Sequence, residues 1–180
     1  MLAQIIEQKL SGTLIGTIAD EDAINALRKK GVKVGDAFDM AIGGKLDVSA
    51  GKPVRVVGKV FTVSGGLSRG SSQAGGSQLW VSVKFGDNNV VVISPFLSQI
   101  VEPSSFTDLG LNPADYKGFA IKSRVHFRRG FYDSGYAKTI LLVEPDDPFV
   151  GTVHLEALKY RYLDLNKFYP FGKNVTYMGS

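Results

Sequence analysis

Cysteine is absent from the 180 residues of this chain. That excludes a disulfide framework, a thiolate zinc site and a cysteine nucleophile, and it suits a reducing cytoplasm. Histidine is nearly absent too, with His126 and His154 the only two. A catalytic zinc usually takes three protein ligands, mostly His with Asp or Glu. Two imidazoles and no His-Glu-x-x-His helix therefore leave no metal site and no cofactor site to expect within this chain. His154-Leu155-Glu156 has the His-x-Glu of zinc deaminases, but the Pro-Cys-x-x-Cys that completes that site cannot exist here. No apolar run approaches the ~18 residues of a membrane span. The opening residues, with Gln4, Glu7, Gln8 and Lys9, are unlike a signal peptide. Excess charge is small: a net +4 mildly favours anionic partners without demanding nucleic acid.

What remains is an ordinary globular composition, 44% apolar and 21% charged, on a chain long enough for one domain with a real core. Leu2, Ile5, Ile6 and Leu10 have helical spacing, and Ser11-Gly12 ends that helix. Thr13–Ile18 is rich in β-branched residues and reads as a strand. Asp20 is a good N-cap for a helix with Glu21 and Asp22 in its first turn. Its stripe is Ala23, Ile24 and Leu27, and Gly31 supplies its C-terminal left-handed position. Strands are expected over 36–42, 54–63, 79–85 and 90–93, the last buried on both faces, with Gly86-Asp87-Asn88-Asn89 as a turn. A short helix is expected near Ser104–Leu109. The stretch 64–77 is glycine- and serine-rich and reads as a flexible connection or lid. Residues 158–170, with Tyr160, Tyr162, Phe168 and Tyr169, read as a tail packed over the domain. The class is mixed α/β (α+β): a largely antiparallel mixed sheet with a few packed helices.

Two stretches carry candidate chemistry. Gly43-Gly44-Lys45 allows close backbone approach and offers a cation. It suits an anion or a tight turn, and Asp47 is a candidate partner for Lys45. It lacks the spacing of a phosphate-binding P-loop. The second is Lys122-Ser123-Arg124-Val125-His126-Phe127-Arg128-Arg129-Gly130-Phe131. Read as the end of a strand from Phe119 to Phe127, it puts Lys122, Arg124, His126 and Arg128 on one face, and Phe119, Ile121, Ser123, Val125 and Phe127 on the other. Such a cationic row is relieved by a carboxylate or phosphate. Tyr136–Val143 is expected to return as an antiparallel strand. Alternation separates Ser123 from His126, which argues against their acting as a serine–histidine pair.

This decapeptide resembles the histidine-containing segment of the C-terminal domain of the MlrC family, the microcystin-degradation metallopeptidases. Gly43-Gly44-Lys45-Leu46-Asp47 through Gly51-Lys52-Pro53 resembles the family's entry to its long strand pair. Leu109-Gly110-Leu111-Asn112-Pro113-Ala114-Asp115-Tyr116 resembles the segment leading into the histidine strand. The motifs fall in family order over most of residues 13–170. The resemblance implies one domain over residues 1–180, belonging to a zinc-dependent peptidase or amide hydrolase whose zinc sits in a preceding metal-bearing domain that this chain lacks. This chain would complete the substrate pocket without being catalytic alone. His126 is then a candidate substrate-facing or acid/base group, and Lys45, Lys122, Ser123, Arg124 and Arg128 are candidates for binding a peptide-like or small anionic substrate. The partner is the metal-bearing domain, in the same chain or as a separate subunit. A homo-oligomer, and the choice between an excised domain and a short natural protein, stay open. Two other classes stay open as well: a stand-alone small-anion-binding module and, with least support, a nucleic-acid-binding domain built on interleaved Arg124, Phe127, Arg128, Arg129, Phe131 and Tyr132 and again on Lys159, Tyr160, Arg161 and Tyr162.

Overall fold

A computed structural model describes every residue except 47–50, 66–77, 124, 142 and 144–180. The chain divides into two compact units, Met1–Lys138 and Thr139–Ser180. In the second only residues 139–141 and 143 are described; they are irregular, with Leu141 and Val143 exposed.

The first unit is one six-stranded sheet with helices on both faces. In chain order the elements are α1 (Leu2–Glu7), β1 (Thr13–Ala19), α2 (Glu21–Lys29), β2 (Ala37–Ile42), β3 (Val54–Ser64), β4 (Trp80–Phe85), β5 (Asn89–Ser94), α3 (Ser104–Asp108) and β6 (Gly118–Ile121). A short 3-10 turn at Pro113–Asp115 precedes β6, and a π-helical turn at Arg128–Asp133 follows it. The sheet order is β2-β3-β4-β5-β1-β6. The run β2-β3-β4-β5 is antiparallel, whereas β1 lies parallel to both β5 and β6. The mixed, largely antiparallel sheet is therefore as expected.

Alternation explains the two cores. Phe38, Ile42, Val56, Val60, Val81, Val83, Val91, Ile93 and Ile15 face α1 and α2, meeting Leu2, Ile5, Ala23, Ile24 and Leu27. Each buried Leu, Ile or Phe there is worth roughly 1.5–3 kcal/mol relative to exposure. Leu14, Trp80, Val90 and Val92 lie in the opposite parity and are buried as well. There Ile100, Phe106, Leu109 and Leu111 make the covering layer. Every residue of β5 is buried, which fits its two-sided apolar sequence.

The α2 helix follows its signals closely: Asp20 caps Ala23 N–H, acidic residues fill the first turn and Gly31 has φ +61°. The α1 helix is shorter than its apolar spacing suggested. It stops at Glu7, and Ile6 and Leu10 stay partly exposed.

Two strand expectations fail. The strand after Tyr116 ends at Ile121, not Phe127, and none of the described residues in 136–143 is in a strand. Pairing with β1 stops at Gly16–Ile121. Ser123 Oγ then accepts the Phe127 N–H at 3.1 Å, which closes a turn rather than extending the strand. The single-face cationic row is therefore not formed as a strand row. The Gly/Ser stretch from residue 66 to 77, and the aromatic tail at 158–170, lie outside the described residues.

Candidate functional site

Strands β5, β1 and β6 are neighbours and parallel, so their carboxyl ends lie along one edge of the sheet. In open α/β sheets that edge is where loops converge on ligands. Three segments leave from it: Asp20 after β1, Ser94–Gln99 after β5, and Lys122–Phe131 after β6. They are tied together locally. Asp20 N–H donates to Ser94 O at 2.9 Å, Thr17 Oγ1 donates to Ser98 O at 2.8 Å, and His126 Nδ1 lies 3.1 Å from Gln99 Oε1.

The Asp20 carboxylate is the most completely satisfied polar group at this edge. Its side chain is fully buried. Oδ1 accepts from Ala23 N–H at 3.0 Å and from Lys45 Nζ at 2.9 Å. Oδ2 accepts from Gly43 N–H at 2.9 Å and lies 2.7 Å from Lys45 Nζ. A buried carboxylate is tolerable only when its lone pairs are filled and a counter-charge is close, and both conditions hold. Gly43 N–H and Lys45 are thus engaged by the chain's own helix cap, Asp20. Asp47, the nearer candidate partner in sequence, lies outside the described residues. Gly44 has φ +65°, and a Cβ there would sit 2.6 Å from Gly51 O, so a side chain would open the turn.

The histidine segment is built differently. Phe127 and Phe131, four residues apart, are both buried. Phe119 stacks on Phe106 at 5.7 Å between ring centres and touches Phe131 at 5.8 Å. Gly130 lets the π-helical turn approach the 101–102 backbone; a Cβ would fall 2.2 Å from Val101 O. These anchors hold a short turn whose polar side chains look outward. Lys122, His126, Arg128 and Arg129 are exposed, and Ser123 is half-buried with its hydroxyl oxygen occupied by Phe127 N–H. Arg128 lies 5.7 Å from the Phe127 ring. Arg124 and His154 lie outside the described residues. Isolated π turns are rare and frequently mark functional positions.

The shifted ionisations lie elsewhere. The bidentate Arg55 guanidinium, at 2.7 and 2.6 Å, lowers Asp39 below the usual carboxylate range, and Asp39 in turn raises Arg55. Burial, then the Asp115 charge, raises Tyr116. A cleft of about 460 Å³ borders α1, β3 and the end of β4, also away from this edge. Gly66-Leu67-Ser68-Arg69-Gly70 matches the Gly-x-Ser-x-Gly pattern of a nucleophile elbow. It lies outside the described residues and connects two antiparallel neighbours, whereas the elbow joins a strand to a helix.

Among the described residues no group of three His, Asp or Glu side chains could hold a metal ion. The donor set of the described residues does not fit a catalytic zinc. No helix among them is long and apolar enough to cross a membrane.

Comparison with known proteins gives a consistent family. The family described as MlrC C-terminus matches residues 1–161. Microcystinase C of a Sphingomonas species is 28% identical over 134 residues, which cover 73% of this chain and 25% of that protein. A crystal structure of a proposed metallopeptidase from Mesorhizobium sp. BNC1 superposes with a TM-score of 0.55 at 14% identity, covering 73% of this chain and 27% of that one. This likeness shows the fold. The chain spans about a quarter of the length of each relative.

Proposed function

From the premise that this chain belongs to the MlrC C-terminal domain family, we propose that it is the pocket-completing domain of a metallopeptidase or amide hydrolase. The metal, zinc in this reading, belongs to a domain outside this chain. The observation that carries the proposal is the edge where β5, β1 and β6 end. It presents an exposed imidazole and exposed cations on a turn anchored by two buried phenylalanines, and the described residues there supply no metal ligand set. A neutral imidazole can donate from one nitrogen and accept at the other, which suits orienting an amide substrate or moving a proton. Lys122, Arg128 and, through its chain position, Arg124 would hold a carboxylate of a peptide-like or small anionic substrate. Ser123 serves by shaping the turn, and Lys45 by holding Asp20, rather than by touching substrate. A cysteine-free chain of this kind suits the cytoplasm.

The test is hydrolysis of amide substrates and metal content, measured on this chain alone and with a metal-bearing domain supplied in the same polypeptide. The chain alone, after dialysis, should be inactive and essentially free of zinc. About one tightly held zinc per chain, or amide hydrolysis by the chain alone, would overturn the reading.

A further inference from the structure

The strand β3 runs past the end of its neighbour. Val54–Val57 pair with β2 on one side, but the first β4 partner on the other side is Phe85, opposite Gly58. Beyond Phe85 the chain turns through Gly86–Asn88 into β5. Four residues of β3 are thus left without a second strand among the described residues. The 460 Å³ cleft lies against this open stretch. Its apolar walls include Ile6, Leu10, Val57 and Phe85, with Lys9 and Arg55 beside them. Val57 is 60% exposed, Leu10 45% and Ile6 37%. An unpaired strand edge flanked by exposed apolar side chains is a template for another strand, and proteins normally blunt such edges.

Charge gives the second observation. Lys59 and Lys84 are direct cross-strand partners on the exposed face just past the cleft. Like charges directly opposite each other cost stability. No carboxylate among the described residues pairs with either lysine; Lys84 lies instead 5.6 Å over the Phe61 ring. Among the described residues the cleft itself is lined by Lys9, Arg55 and Asp87, with Arg55 held by Asp39, and the unpaired Lys59 and Lys84 lie just past it.

We propose that this edge is a docking groove for an acidic peptide segment carrying a bulky apolar side chain. The segment pairs its main chain with Val54–Val57, seats the apolar side chain between Leu10 and Phe85, and places carboxylates on Lys59 and Lys84. Main-chain pairing supplies affinity in this mode, and the pocket and charges supply specificity. A nucleic acid has no aliphatic side chain to fill the cleft. A second copy of the same face brings the same cations and is repelled. The proposal is independent of the metallopeptidase reading.

The experiment is selection of short random displayed peptides on the full chain, followed by NMR with the enriched peptide. Enrichment of Asp or Glu beside Leu, Phe or Trp is expected, with shifts across Val54–Val57 and new exchange protection at those alternate amides that do not already bond to β2. K59E/K84E should weaken binding roughly tenfold or more, and V57D should abolish it. K84E alone should weaken binding while raising the Tm of the free chain, because a repulsive pair becomes attractive; weaker binding by this more stable variant is not misfolding. Absence of enrichment, neutral or basic winners, undiminished binding by K59E/K84E, or shifts confined to other amides would overturn the proposal. So would a single-stranded oligonucleotide or self-association that alone perturbs the Val54–Val57 amides.

Discussion

Two segments at the same edge of the sheet carry cations, and the fold treats them in opposite ways. Lys45 is bonded to the wholly buried Asp20 carboxylate, which also takes two backbone N–H groups. His126 is exposed and touches one side-chain oxygen, that of Gln99. Where the chain supplies its own counter-charge, a cation becomes part of the scaffold. Where it supplies apolar anchors beneath and leaves the polar groups facing out, the cations stay available. Lys45 is thus tied into the architecture, whereas His126, proposed above to face substrate, stays exposed, although both stand in stretches that resemble the same family.

The largest effect should come from breaking the first segment. Asp20→Ala removes a helix cap, an acceptor for Gly43 and the partner of Lys45. Because Lys45 is about a third exposed, solvent relieves part of the cost, and a loss of roughly 2–4 kcal/mol is expected. Urea denaturation should show it, with Tm falling by roughly 5–15 °C. Asp20→Asn keeps an acceptor for Ala23 and should lose less. Gly130→Ala comes next. Its Cβ meets backbone at Val101 and Glu102, so the turn must shift, at a cost of about 1–3 kcal/mol.

His126→Ala in this chain should sit far below both. An exposed side chain with one hydrogen bond should change stability by no more than ~0.5 kcal/mol. A large loss would move His126 into the scaffold beside Lys45 and erase the contrast. The smallest effect should be at Asp39. Its lowered carboxyl contributes stability that is present above the unfolded carboxylate value and fades as pH falls through the folded one. The pair with Arg55 is open to solvent, so Asp39→Asn should barely alter the acid limb of a pH–stability curve, and salt should reduce even that.

Much of this contrast was hidden in the sequence for physical reasons. The α2 cap, its acidic first turn and Gly31 were legible because helix termini are local chemistry. β5 was legible because two-sided burial demands an unbroken apolar run. The Asp20–Lys45 bond joins residues that local reading never compares, so Lys45 stood as a candidate for an external anion or for Asp47. The histidine segment failed differently. Phe119 to Phe127 alternates well enough for a strand, yet Phe127 and Phe131 also stand at helical spacing. The helical signal won because Ser123 closes a turn and Gly130 fits the 101–102 backbone. The cationic residues kept their exposure without keeping a strand face. Arg124 lies outside the described residues and cannot be compared with its neighbours.

The measurement that tests the central claim most directly is turnover in a complete relative carrying both the metal-bearing domain and this one, with the histidine matching His126 replaced by Ala. kcat should fall by about 10²-fold or more, as for loss of a proton-transfer or orienting group, while metal content and Tm stay unchanged. Unchanged kcat at full metal occupancy would contradict it.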